Sequence, residues 1–249
     1  MPIGEIELHP YLLVGAIKKA QSLILGSFPV YESTNPDNAV KLAQRNMEGT
    51  LRFFYGSDRN CLWTLYKQSV DPTIGLPLNT DEIITSLNNK RIALSDIILS
   101  CERYIYKTDK KTGKKNIYPY SSEDTALHVR QWNDNLIREI IAERCTKILC
   151  TSKMVLENLE RRIICNKGFG NISANKAISF QRNLIAKLGG NSAQIKGDIV
   201  KVFTVGNAQV TPIAIPSPRS PNVSLPNLVL KLATGAVMRT IIIKKHSNG

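Results

Sequence analysis

Short runs of β-branched and aliphatic residues alternate along the chain with longer stretches in which apolar positions recur every three or four residues. This alternation predicts βαβ units around a largely parallel sheet. Ser22–Gly26 has a wholly apolar interior, as a strand covered on both faces requires. Ile92–Leu99 and Lys147–Thr151 are the next strand candidates, and 201–205 and 210–215 read as short strands. Helical spacing covers 60–69, 80–90, 152–163 and 175–188, with Thr80 and Asp81 as capping residues for the second. A long helix is expected over 125–145, with Trp132, Leu136, Ile140 and Ile141 as its buried stripe. A last helix is expected from Ser224, and 237–245 suits an edge strand or a frayed end. No repeat, low-complexity tract or Pro/Gly/Ser-rich linker interrupts the pattern, so 1–249 reads as one domain.

Composition adds little to this: 43% apolar and 21% charged residues are ordinary for a globular protein. No apolar run is long enough to cross a bilayer, and the first residues lack a signal-peptide pattern, so a cytoplasmic protein without membrane contact is expected. Charge changes the picture. Thirty-three Lys and Arg against 20 Asp and Glu leave a net +13, which favours a polyanion partner through counterion release, although charge also serves solubility. The basic run Lys107–Lys115 reads as an exposed hairpin tip. Cys61, Cys101, Cys145, Cys150 and Cys165 form no C-x-x-C pair and read as buried reduced thiols, with no metal site.

In open α/β sheets, ligands bind outside the carboxyl ends of the strands. Two segments stand at such ends: Gly26-Ser27-Phe28-Pro29-Val30-Tyr31, and Pro216-Ser217-Pro218-Arg219-Ser220-Pro221 after the last strand. A third, Phe53-Phe54-Tyr55-Gly56-Ser57-Asp58-Arg59-Asn60-Cys61-Leu62-Trp63, precedes a helix. A fourth stretch is Ile92-Ala93-Leu94-Ser95-Asp96-Ile97-Ile98, followed by Ser122-Glu123-Asp124. Taken in chain order, over about residues 20 to 225, the segments resemble the uracil-DNA glycosylase superfamily, closest to its hypoxanthine (deoxyinosine) DNA glycosylase branch. There, a strand ends in Gly-Ser-x-Pro, an aromatic–Gly stretch leads to Arg-Asn-x-x-Trp, and a late strand ends in a Pro-Ser-rich loop.

The resemblance implies a three-layer α/β/α sandwich with a central four-stranded, mainly parallel sheet. It also implies hydrolysis of the bond between a deaminated base and its deoxyribose in DNA, with no cofactor and no iron–sulfur cluster. A monomer is expected. The chemistry suits the residues. The target base must leave the stack and enter a pocket, with the flanking phosphates clamped. Gly26, Ser27, Ser217, Ser220 and Arg219 are the candidate phosphate contacts, Arg219 alternatively entering the minor groove. Phe28, Phe53, Phe54 and Tyr55 are candidate base-stacking residues, with Tyr31 nearby, although core packing competes for some of them.

Cleavage needs an oriented water and a stabilised leaving base. Most of the superfamily carries Asp or Asn in the first motif for that water, where this chain has Ser27-Phe28. In the hypoxanthine branch the second-motif Asn takes the catalytic role, and its match is Asn60, expected to position the water or to contact the base, although it also suits the N-cap of the next helix. Ile215 stands where the best-known members place a His, a departure that the hypoxanthine branch shares. The two departures keep open an alternative, a DNA-binding protein of the same fold without catalysis. An enzyme acting on a small phosphorylated molecule is the third candidate, without G-x-G-x-x-G or G-x-x-x-x-G-K-[ST] to support it. Asp96 is expected as a pocket contact or as a buried carboxylate satisfied by backbone N–H groups, and His9 and His128 as isolated residues, the latter within a helix.

Overall fold

The structure is a computed structural model, and it describes residues 5–15, 17–34, 51–56, 62–119, 124–164, 203–205 and 208–214. The strands are β1 (Ile6–Leu8), β2 (Ser22–Gly26), β3 (Ile92–Asp96), β4 (Ile98–Thr108), β5 (Lys115–Pro119), β6 (Leu127–Trp132), β7 (Lys147–Cys150), β8 (Phe203–Val205) and β9 (Ala208–Ala214). The helices are α1 (Leu12–Gly15), α2 (Tyr31–Thr34), α3 (Leu62–Ser69), α4 (Thr80–Lys90), α5 (Asp134–Glu143) and α6 (Lys153–Leu159), the last continuing into a π-helical turn over Glu160–Ile164.

A five-stranded sheet in the order β3-β2-β7-β9-β8 forms the centre. The pairs β2–β3, β2–β7 and β7–β9 are parallel, and β8 adds an antiparallel edge. Side chains of β2 alternate between two cores. Leu23 and Leu25 join Ile148 and Cys150 of β7, and pack on Ile137, Ile140 and Ile141 of α5 and Val155, Leu156 and Leu159 of α6. Ile24, with Leu149 of β7 and Ile92 and Leu94 of β3, faces Trp63 and Tyr66 of α3 and Ile83 and Leu87 of α4. Helices thus cover both faces, the reason β2 and β7 carry an apolar interior. The Asn79 side chain, one residue before the expected Thr80, caps α4 by accepting from the Asp81 N–H at 2.8 Å.

A second, antiparallel sheet departs from the single-sheet expectation. It places β4 between β1 and β5, with β6 also paired to β4. Two readings are corrected by it. Ile92–Leu99 is two strands, because the chain bends at Ile97 and enters the other sheet at Ile98. The region 125–145 is not one helix: Leu127–Trp132 is a strand on β4, and the helix begins only at Asp134. Cross-strand pairing overrides the weak helical spacing there, and places Trp132 on a strand and not on the helical stripe. The segments 175–188, 224 onward and 237–245 lie outside the described residues.

Candidate functional site at the carboxyl edge of the parallel sheet

Register fixes which residues meet. Gly26 pairs with Asp96, Leu25 with Cys150, and Cys150 with Ala214, so β2, β3, β7 and β9 all end on one edge. From Gly26 onward the chain is tied down. Gly26 and Ser27 carbonyls accept the Ile97 and Ile98 N–H groups at 2.9 and 3.1 Å. Arg103, 4% exposed on β4, donates to the Pro29 carbonyl at 2.7 Å and to both oxygens of Glu7 at 2.9 and 3.2 Å. Its guanidinium also lies 5.7 Å from the centre of the Phe28 ring. Tyr11 Oη donates to the Ser33 carbonyl.

The 51–56 loop reaches this edge from the α3 side. The Leu51 N–H donates to Gly56 O and the Gly56 N–H to Phe53 O, closing a tight turn with Tyr55 in the left-handed region at φ 55°. A Cβ on Gly56 would lie 1.8 Å from the Leu51 carbonyl oxygen, so no larger residue fits. Trp63 Nε1 donates to Phe54 O at 2.7 Å and locks the loop to α3. The half-buried Tyr55 thereby brings its hydroxyl over Gly26, and 3.5 Å from Thr151 Oγ1 at the end of β7.

Beside Gly26 lies a pair that the sequence did not disclose. His9 Nε2 is 2.9 Å from Asp96 Oδ2, across 87 residues, and both side chains are buried. His9 Nδ1 accepts the Tyr11 backbone N–H at 3.1 Å, so Nε2 carries the proton and donates to Asp96. One oxygen of the Asp96 carboxylate, Oδ2, is therefore satisfied by a histidine and not by a backbone N–H group. The other, Oδ1, has no hydrogen-bond partner among the described residues and points to the space above Gly26. Asn133 fixes the backbone beneath, donating from Nδ2 to Ser95 Oγ and to Asp96 O at 3.0 Å each. No local motif could have signalled the His9–Asp96 pair.

The four aromatic candidates separate. Phe53 and Phe54 are each 1% exposed, Phe53 packed on Trp63 and Phe54 on His9. Phe28 is 7% exposed and meets the His9 ring edge-on at 5.3 Å. Tyr55 alone of the four reaches solvent appreciably. His128, expected in a helix, is on β6, with its ring stacked on Tyr104 at 3.7 Å. Asn60, Ser217, Ser220 and Arg219 lie outside the described residues, though α3 starts two residues after Asn60 and β9 ends three residues before Ser217. Cys101, Cys145 and Cys150 are buried free thiols, and the described residues contain no cluster that would hold a metal ion. No helix among the described residues is long and apolar enough to cross a membrane.

No family model matches the chain. No curated protein matches it either. Among solved structures, it is similar to the solution NMR structure of a "putative Uracil DNA glycosylase" from Methanosarcina acetivorans, at 15% identity and a TM-score of 0.42, over 88% of this chain and 94% of that one. At that score the likeness decides neither family nor activity.

Proposed function

We propose that this chain is a DNA glycosylase of the uracil-DNA glycosylase type, hydrolysing the N-glycosidic bond of a deaminated base, hypoxanthine or uracil, flipped out of DNA. One observation carries the reading: the first motif, at Gly26-Ser27, and the second, at Tyr55-Gly56, are remote in sequence yet meet over the same strand ends, where a substrate site of an α/β sheet belongs. The net charge of +13 supports a polyanionic substrate.

On this reading Gly26 and Ser27, with Ser217, Ser220 and Arg219, hold the phosphates around the extruded nucleotide. Tyr55 offers its ring to the base, backed by Phe28, Phe53 and Phe54. Asn60 orients the water that attacks C1′. As the bond breaks, positive charge builds on the sugar, and the role we assign to the Asp96 carboxylate, held by His9 at these strand ends, is to favour that charge electrostatically. No cofactor and no metal take part, the whole chain works as one domain, and it acts as a monomer in the cytoplasm. The test is a duplex oligonucleotide with a single hypoxanthine, uracil or xanthine, scored by alkaline strand scission. Failure to release any of the three rules the activity out. The residues Ser27-Phe28 and Ile215, in place of the Asp or Asn and the His of the best-known members, support one second reading, DNA binding without turnover. Salt-sensitive binding with no scission would select it.

A further inference from the structure

The distal half of β4 runs past its pairing with β1 and β6, and continues with β5 alone as a two-stranded ribbon, Tyr104–Thr108 paired to Lys115–Pro119. Five paired positions at about 3.3 Å each extend it by roughly 17 Å. The tip is built, not slack: Asp109 Oδ1 accepts the Lys111 N–H at 2.8 Å, and the Gly113 N–H donates to Asp109 O at 2.8 Å with Gly113 at φ 68°. Between Tyr104 and Tyr118 the chain carries five lysines and one acid. All five, Lys107, Lys110, Lys111, Lys114 and Lys115, are exposed, and none is ion-paired to a described residue.

The ribbon also exposes rings. Tyr106 is 55% exposed, Ile117 45% and Tyr118 43%. Register puts Tyr106 opposite Ile117 on one face, while Tyr118 shares the other face with Lys107, whose Nζ lies 5.0 Å from its ring centre. We propose that this ribbon is a second DNA-binding element, which enters the major groove of duplex DNA outside the catalytic edge; the proposal rests on the reading of the chain as a DNA-acting protein. A major groove about 12 Å wide admits a two-stranded ribbon, and its two walls meet both faces. The lysines neutralise phosphates on either side, and the tyrosine hydroxyls exchange hydrogen bonds with phosphates or base edges. A membrane surface would call for apolar groups on a single face, whereas here they are split between two.

The test compares the full-length wild type with the triple variant Lys110→Gln/Lys111→Gln/Lys114→Gln, and separately with Tyr106→Ala. Fluorescence anisotropy is read against salt on a labelled duplex, on the single strand of the same sequence, and on phosphatidylserine/phosphatidylcholine vesicles. The triple variant is expected to lose about 10–100-fold in duplex affinity at low salt, with the slope of log affinity against log salt shallower by about 2–3, roughly 0.9 for each phosphate contact removed. Tyr106→Ala is expected to weaken the duplex more than the single strand. Unchanged affinity and slope in the triple variant, beside a wild type that binds, overturn the ribbon's role and leave the glycosylase reading standing. Equal loss on duplex and single strand overturns groove entry, as does ribbon-dependent binding to vesicles only. A wild type that binds no DNA removes both proposals together.

Discussion

At Gly26 two side chains converge: a Cβ there would lie 2.2 Å from Asp96 Oδ1, 2.3 Å from Tyr55 Oη and 3.0 Å from Tyr55 Cζ. Gly26→Ala is therefore expected to destabilise by about 1–3 kcal/mol, read as a lowered urea midpoint with an unchanged m-value. Asp96→Ala leaves the buried His9 Nε2–H without its acceptor and is expected to cost a similar amount, about 1–3 kcal/mol, by the same measurement. The buried thiols give a pH dependence. Burial pushes Cys101 and Cys145 up to about 12 and raises Cys150 as well. The unfolded chain releases these protons at lower pH than the folded one. Their contribution is thus complete below the ordinary thiol range and lost as pH climbs toward 12. Unfolding midpoints should fall above about pH 9, the ordinary range for an exposed thiol, and these three thiols should react with a thiol-specific reagent only after unfolding. Equally fast reaction in the native protein would contradict their burial.

Elements hold the site through single cross-links. Asn133 sits at the junction of β6 and α5, yet its side chain forgoes the helix cap and ties that junction to Ser95 and Asp96. Asn133→Ala is expected to destabilise by about 1–3 kcal/mol in chemical denaturation, since the Asp96 carbonyl loses its side-chain donor. The apolar run Ser22–Gly26 and the helix Thr80–Lys90 were legible because local pattern and tertiary need agree in them. The region 125–145 was not. His128 to Trp132 become a strand only because β4 offers an edge, and that edge comes from residues about 30 positions away, as the Ser100–Gln131 pairing shows. Ile97 misled in the same way: an apolar residue inside an apolar run turns the chain from one sheet to the other.

The whole molecule carries +13, and its DNA affinity is expected to fall linearly in log–log terms as salt rises. A flat salt response measured by anisotropy would remove DNA as the substrate class. Asn60→Ala is expected to abolish base release in the strand-scission assay while leaving DNA affinity nearly intact. Equal losses in both would make the residue structural. Of the proposed site, Gly26, Ser27 and the aromatic–Gly stretch were visible as motifs, because tight turns and close approach restrict residue type locally. Which aromatic faces outward was not visible, since Phe53, Phe54 and Tyr55 are equivalent as a string and differ only in what surrounds them.

The chain's own order of residues determined the α/β class, the strands buried on both faces, the basic hairpin tip and the segments that stand at strand ends. These follow from periodicity, turn chemistry and charge, which act over a few neighbours. Only the folded arrangement decided that a fifth strand joins the central sheet as an antiparallel edge, that β4 gathers β1, β5 and β6 into another, and that His9 meets Asp96 beside Gly26 and Tyr55. Pairing between strand edges and burial of a charge depend on partners brought together from distant parts of the chain, and no local pattern encodes that choice.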